Sequence, residues 1–151
     1  MKTAFILVFI SFVISGCSGP QNQTHEIAGT QAERVLGVSR VIESNATLPS
    51  EIADAHLIEL QFGDGRLGPS DFRSFVWIKV SPDDIDKWKS ILKSPPNQSV
   101  GYDQPPANPA WWVAEATFDK STKYDSDALF NRHGWIVIED DGNIFALTYT
   151  Q

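Results

Sequence analysis

Residues 72–93 read FRSFVWIKVSPDDIDKWKSILK, a strand pattern that passes directly into a helix pattern. Over 72–80, successive side chains alternate between two faces, as they do along a β-strand. Ser81 then supplies a helix N-cap, and Pro82 fits the first helical position because its missing N–H needs no partner there. Apolar residues recur at helical spacing after this start, which predicts a helix over 82–93 with one apolar stripe. The stripe consists of Ile85, Trp88, Ile91 and Leu92.

Four further segments predict strands of the same sheet. Residues 56–62 (HLIELQF) alternate in the same way, and residues 111–118 (WWVAEATF) are rich in aromatic side chains. Segments 135–139 and 144–149 flank the turn sequence DDGN, which predicts a C-terminal β-hairpin. A run of strands with one well-marked helix predicts an α+β fold. We expect an antiparallel sheet of about four to five strands, packed against the helix over 82–93.

The N-terminus has the pattern of an export signal. A positively charged start precedes an apolar run from Ala4 to Ile14, which is too short for a transmembrane helix of about 20 residues. The sequence Ile14-Ser15-Gly16-Cys17 follows and resembles the lipobox of bacterial lipoproteins. The resemblance implies that residues 1–16 are a signal peptide and that Cys17 carries a diacylglyceryl group, which makes the membrane a partner. Ser18, in place of Asp, implies the periplasmic face of the outer membrane where a cell has two membranes.

The mature chain divides into a tether and one domain. Residues 17–31 are polar and contain one sizeable apolar residue, so we expect the lipidated cysteine to be followed by a flexible tether. Residues 32–151 then form a single α+β domain. A short helix is expected over 32–43, although Gly37 in its middle disfavours a helix by about 1 kcal/mol relative to alanine.

Composition excludes several functions. The chain has 12 Lys and Arg against 19 Asp and Glu, a formal charge of −7, so a nucleic-acid partner is not expected. The single cysteine excludes an internal disulfide and every metal site built from several cysteines. No nucleotide, zinc-protease or EF-hand motif is present, and we expect neither a metal nor a cofactor.

The most unusual local feature is a pair of tryptophans after a proline-rich segment. Residues 94–109 contain five prolines, which predicts a long irregular loop, and Trp111 and Trp112 follow it. Aromatic planes beside prolines bind extended peptides or sugars with a small loss of entropy. On a strand, the two side chains would point to opposite faces. We therefore expect one tryptophan in the core and the other in an aromatic groove between loop and sheet.

Three functional hypotheses follow. The first is a non-enzymatic, membrane-anchored lipoprotein that binds a protein, peptide or glycan in the cell envelope. An alternative is an immunity-type protein, whose acidic surface would neutralise a basic toxin. An alternative of another class is a hydrolase that uses His133 as a general base with a nearby carboxylate, Asp140 or Asp141.

The mature part also resembles a group of small, uncharacterised bacterial exported proteins and lipoproteins. The shared features are residues 36–38 (LGV), 65–71 (GRLGPSD), 81–85 (SPDDI), 111–112 (WW) and 134–138 (GWIVI). The function of that group is unknown, so the resemblance implies no activity and no site residue.

Overall fold

The computed structural model describes residues 22–63, 69–96 and 99–150. They contain a six-stranded sheet in which every pair of neighbouring strands is antiparallel, in the order β1-β2-β3-β6-β5-β4. The strands are β1 (Gln23–Glu26), β2 (Asp54–Phe62), β3 (Asp71–Lys79), β4 (Lys123–Asp125), β5 (His133–Ile138) and β6 (Asn143–Tyr149).

In the described ranges, four α-helices and one 3-10 turn accompany the sheet. The α-helices are α1 (Gln31–Glu43), α2 (Ile85–Ser90), α3 (Glu115–Lys120) and α4 (Asp127–Phe130), and the 3-10 turn Pro82–Asp84 leads into α2. Within the described ranges, no helix has both the length and the apolar character needed to span a membrane.

Both faces of the sheet are covered. Because side chains alternate along β3, neighbouring residues of this strand point to opposite faces. Val76 and Ile78 lie on the face covered by α1 and α2, together with Trp88, which we call the helix face. Phe75 lies on the opposite face, where Trp112 and its neighbours cover it, which we call the loop face. Burying one such side chain stabilises the fold by about 1.5–3 kcal/mol, so two covered faces supply a substantial core.

Helix α1 begins with a capping box. The Thr30 hydroxyl accepts a hydrogen bond from the Glu33 N–H, and the Glu33 carboxylate accepts one from the Thr30 N–H. This arrangement satisfies N–H groups that a helix start otherwise leaves free. The buried side chains Val38 and Ile42 then attach the helix to the sheet.

Gly37 has a packing role within α1. A Cβ atom at this position would lie 2.7 Å from Cγ2 of Ile27. The missing side chain therefore lets Ile27, in the connection between β1 and α1, lie directly against the helix. This close approach offsets the unfavourable helix propensity of glycine.

The predicted α+β class, the antiparallel sheet and the C-terminal hairpin are confirmed. The sheet has six strands instead of four to five, because β1 and β4 are short and were not recognised. In the hairpin, Gly142 has φ +93°, and a Cβ atom there would meet the Val80 carbonyl oxygen at 2.3 Å. Glycine is therefore required at this turn.

The prediction that the tether extends to residue 31 is wrong from residue 23 onward. Strand β1 pairs with β2 along its full length although all four of its side chains are exposed. Backbone hydrogen bonds to the free edge of β2 hold this strand in place. The amino-acid composition did not reveal this, because it indicates only how much side-chain surface a segment can bury. Residues 1–16 and Cys17, with the predicted lipidation, lie outside the described residues.

The predicted main helix over 82–93 is also wrong in extent. Its start is correct, since the Ser81 hydroxyl accepts a hydrogen bond from the Asp83 N–H, but α2 ends at Ser90. The Lys93 carbonyl instead accepts a hydrogen bond from the Asp125 N–H, at 2.8 Å, which draws the chain toward β4. The longest helix described is α1, with 13 residues.

The predicted strand over 111–118 does not form. Trp111 and Trp112 lie in a turn, and α3 follows from Glu115. Apolar and polar residues do not alternate regularly in this segment. Its apolar side chains pack onto the loop face of the sheet instead. Trp112, Val113 and Phe118 are all buried there.

Candidate functional site

A row of polar side chains crosses the helix face of the sheet. His25 pairs with Glu59, Glu59 with Ser74, and Ser74 with Thr148, so the row passes over β1, β2, β3 and β6 in turn. Neighbouring strands are about 4.8 Å apart, and the row therefore extends over about 14 Å. On one side of the row the same face carries the apolar core, beginning with Leu57, Val76 and Ala146. The polar row therefore lies at the border of that core.

A cleft of about 400 Å³ lies above this row. Its size falls in the range of about 300–1,000 Å³ that is typical of small-molecule sites. Polar and apolar side chains share its wall. The polar ones are His25, Glu26, Ser44, Asn45, Glu59, Ser74, Arg132 and Thr148, and the apolar ones are Ile27, Val41, Leu57, Val76 and Phe130.

Arg132 reaches the row from the connection between α4 and β5. Asn131 ends α4 in the left-handed conformation, φ 50°, which turns the chain sharply toward β5. The Ser126 hydroxyl then donates to the Arg132 carbonyl at 2.8 Å and fixes this turn. The Arg132 guanidinium also lies 5.6 Å from the Phe72 ring centroid, a cation–π distance.

Three side chains form a closed hydrogen-bond network on the floor of the cleft. Arg132 Nη1 donates to Glu59 Oε2 at 2.8 Å and to the Ser74 hydroxyl at 3.0 Å. The Ser74 hydroxyl donates to the same Glu59 oxygen at 2.7 Å. The charges of Arg132 and Glu59 cancel, so the floor is polar but carries no net charge.

Thr148 completes the row and has a different environment. Thr148 is 1% exposed, and its buried Oγ1 has no hydrogen-bond partner among the residues that the structure describes. Leaving such a group unsatisfied costs about 1–3 kcal/mol. Native proteins contain few such groups, and each calls for an explanation.

The tryptophan pair lies on the loop face, on the other side of the sheet from the cleft. Trp112 is buried, and its Nε1 donates to the Asp103 carbonyl at 2.9 Å. Trp111 is half-buried and stacks on His56, with ring centroids 5.2 Å apart and planes 4° from parallel. Burial lowers the pKa of His56, and the positive charge of Arg34 lowers it further.

A second groove, of about 460 Å³, separates the proline-rich loop from the sheet. Leu60, Arg73 and Phe75 of the sheet and residues 103–108 of the loop line it. Neither tryptophan lines this groove, although the buried Trp112 borders a neighbouring groove of about 390 Å³ beside the same loop. A binding role for Trp111 or Trp112 therefore stays a prediction.

The predicted hydrolase pair is not brought together. His133 begins β5 and pairs with Tyr149, whereas Asp140 and Asp141 lie in the turn beyond the other end of that strand. At about 3.4 Å per residue, the separation is about 20 Å. In the described part of the chain, no group of three or more His, Cys, Asp and Glu side chains is placed to hold a metal ion.

Sequence reasoning missed the cleft, although a signal was present for part of it. Ser74 follows the same alternation as Val76 and Ile78, which places a hydroxyl at a core-facing position. In the same way, Thr148 lies on the core-facing side of β6 with Ile144 and Ala146. A polar residue in the apolar register of a strand is such a signal. The position of Arg132 had no comparable signal, because it depends on how α4 ends.

Comparison with known proteins adds no further constraint. No protein-family model, no curated protein and no solved structure matches this chain. Function must therefore be inferred from the chemistry of the cleft and from the N-terminal sequence.

Proposed function

We propose that this protein is a lipid-anchored, non-enzymatic binding protein of the bacterial cell envelope, and that its ligand occupies the cleft beside α1. The observation that carries the proposal is the Thr148 hydroxyl, which has no hydrogen-bond partner among the described residues and lies in the same cleft as the Arg132–Glu59 pair. Polar groups that reduce the stability of a core are typical of sites selected for binding. The lipobox-like sequence ending at Cys17 supports the membrane anchor.

The distance between anchor and cleft supports a ligand near the membrane. Because β1 begins at Gln23, five residues lie between Cys17 and the sheet, which corresponds to six Cα–Cα steps. Fully extended, they span about 20 Å at most. The rim of the cleft includes His25, Glu26 and Ile27, directly after that connection.

The hydrogen bonds on the floor support binding without chemistry. A serine nucleophile needs a base that accepts its proton and is itself oriented by a third group. Ser74 does donate to Glu59, but the accepting carboxylate oxygen is already held in an ion pair with Arg132. The His25 ring is hydrogen-bonded to Gln61 Oε1, at 3.4 Å. This arrangement favours a fixed polar floor.

The first part of the test concerns the anchor. The intact protein is extracted from the membranes of the producing cells, and its N-terminus is analysed by mass spectrometry. We expect a chain that begins with acylated Cys17. An unmodified Cys17, or a different first residue, would contradict the anchor.

The second part concerns the cleft, and α1 offers a matched pair of variants. Val41 and Leu36 are both exposed on α1, at 37% and 51%, but only Val41 lines the cleft. Native mass spectrometry of the extracted protein should show a bound small molecule in the wild type and in Leu36→Trp. Val41→Trp, which fills the cleft, should lose it. Retention of the bound molecule by Val41→Trp would place the site elsewhere.

A further inference from the structure

The unused hydrogen-bond capacity of the cleft defines the chemistry of its ligand. Among the described residues, the Arg132 side chain hydrogen-bonds through Nη1 and Glu59 through Oε2, while the buried Thr148 Oγ1 has no hydrogen-bond partner. The guanidinium offers donors, the carboxylate oxygen is an acceptor, and the threonine hydroxyl is both. Because donors and acceptors lie side by side in the cleft, they suit ligand groups that can both donate and accept a hydrogen bond. Hydroxyl groups are the simplest groups of this kind.

The ion pair on the floor of the cleft disfavours an ionic ligand there, and Glu26 is the other charged residue of the wall. Arg132 and Glu59 form an ion pair at 2.8 Å, and their side chains are 32% and 24% exposed. An anionic ligand would have to compete with Glu59 for the guanidinium, and a cationic ligand would compete with Arg132 for the carboxylate. A neutral ligand uses the remaining hydrogen-bonding groups of both and leaves the pair intact.

The apolar half of the wall requires an apolar surface on the same ligand. Leu57 and Val76 border the polar row on the sheet, and Phe130 faces them from α4. A sugar ring has this combination, since its C–H groups form apolar faces and its hydroxyl groups lie around the edge. From these features we infer that the cleft binds a short, neutral saccharide. The inference rests on the proposed binding function and specifies its ligand.

An acyl chain and an extended peptide fit the cleft less well. An acyl chain would cover Glu59, Arg132 and Thr148 without giving them hydrogen bonds, which is costly for buried polar groups. Extended peptides usually add to a free sheet edge through their backbone. The floor here is formed by β2, β3 and β6, each of which is paired on both sides. Recognition on the floor must therefore come from side chains, and among the described residues of the cleft only β1 at the rim has a free strand edge.

The test uses the full-length lipoprotein, solubilised in a detergent that contains no sugar group. Calorimetry measures binding of cellotriose and chitotriose as neutral saccharides. Trigalacturonate, a blocked alanine tripeptide and laurate are the comparison probes. We expect at least one neutral saccharide to bind and to be displaced by none of the other three.

Two threonines provide the matched variants. Thr148→Val removes the cleft hydroxyl at nearly constant shape and should weaken saccharide binding about ten-fold. Thr24→Val makes the same change on the exposed strand β1, outside the cleft, and should leave binding unchanged. Urea unfolding of both variants checks that the fold is retained.

Three results would overturn the saccharide inference. They are the absence of binding by either neutral saccharide, equal binding by Thr148→Val and wild type, and preferential binding of one of the comparison probes. These results are separate from the test of the proposed function. If Val41→Trp still loses the bound molecule found by native mass spectrometry, the cleft remains the site and only its ligand class is wrong.

Discussion

Ser74 and Thr148 lie opposite each other on β3 and β6, yet only the Ser74 hydroxyl has a hydrogen-bond partner among the described residues. Ser74 connects Arg132 to Glu59, whereas Thr148 Oγ1 is buried beside this network without joining it. Two neighbouring hydroxyl groups therefore make opposite contributions to stability. One is part of the network, and the other reduces the stability of the fold.

The first prediction concerns this difference. Thr148→Val should raise the free energy of unfolding by about 1 kcal/mol, because it removes an unsatisfied buried hydroxyl and keeps the shape. Ser74→Ala should lower it by about 1–2 kcal/mol, because Glu59 and Arg132 each lose a hydrogen bond. Urea unfolding measures both changes. A loss of stability in Thr148→Val would mean that its hydroxyl has a partner in solution.

The alternation along the strands predicted much of this sheet. Over 72–80 it correctly assigned every side chain to one of two faces, because a residue on the wrong face would expose apolar surface. It did not predict that the loop face is also covered. Phe75 and Trp77 indicate an apolar second face, but the covering residues come from a segment without regular periodicity. Tertiary contacts decide the structure of such segments.

The second prediction tests the contact between α2 and the sheet. Trp88 is fully buried, and its Nε1 donates to the Ser50 hydroxyl at 2.9 Å. Trp88→Ala should therefore lower the free energy of unfolding by about 3–5 kcal/mol. Ile91 belongs to the same predicted stripe but is 41% exposed, and Ile91→Ala should cost less than about 1 kcal/mol. Equal costs for the two variants would mean that α2 continues past Ser90 in solution.

The third prediction concerns Gly37. Alanine is favoured over glycine in a helix interior by about 1 kcal/mol, but here its Cβ would collide with Ile27. Gly37→Ala should therefore destabilise the wild type. In an Ile27→Ala background, where the colliding atoms are absent, the same change should be stabilising. A double-mutant cycle measures this reversal of sign, and additive effects would contradict the proposed contact.

The position of β1 and of Arg132 shows why the site was harder to predict than the fold. Strand β1 forms because β2 offers an unpaired edge, a property of another segment. Arg132 reaches Glu59 because Asn131 adopts a left-handed conformation at the end of α4. Neither condition is visible in the local sequence. The cleft depends on both, since β1 supplies part of its rim and Arg132 part of its floor.

The fourth prediction concerns pH. Burial lowers the pKa of His56, with Arg34 adding to the shift, whereas an unfolded histidine titrates near about 6.5. As pH falls below about 6.5, the unfolded chain binds a proton before the folded protein does, so the free energy of unfolding decreases. The loss ends once the pH is below the folded-state pKa. His56→Phe should remove this component, and His25→Gln, at an exposed position, should retain it. Unfolding followed from pH 8 to pH 5 checks both, and unchanged pH dependence in His56→Phe would exclude His56 as the source.

The last prediction separates the two tryptophans. Trp112→Ala should cost about 3–5 kcal/mol, because the ring is buried and makes an edge contact with Phe75 at 5.4 Å. Trp111→Ala should cost less, about 1–2 kcal/mol, since it mainly removes the stack on His56. Denaturant unfolding gives both values, and equal large losses would show that the pair acts as one core unit.

Saccharide binding gives the second measurement on the tryptophan pair. Because Trp111 lies on the loop face, Trp111→Ala should leave saccharide binding in the cleft unchanged. If Trp111→Ala abolishes binding while Val41→Trp does not, the aromatic surface beside the proline-rich loop is the binding site and the cleft is not.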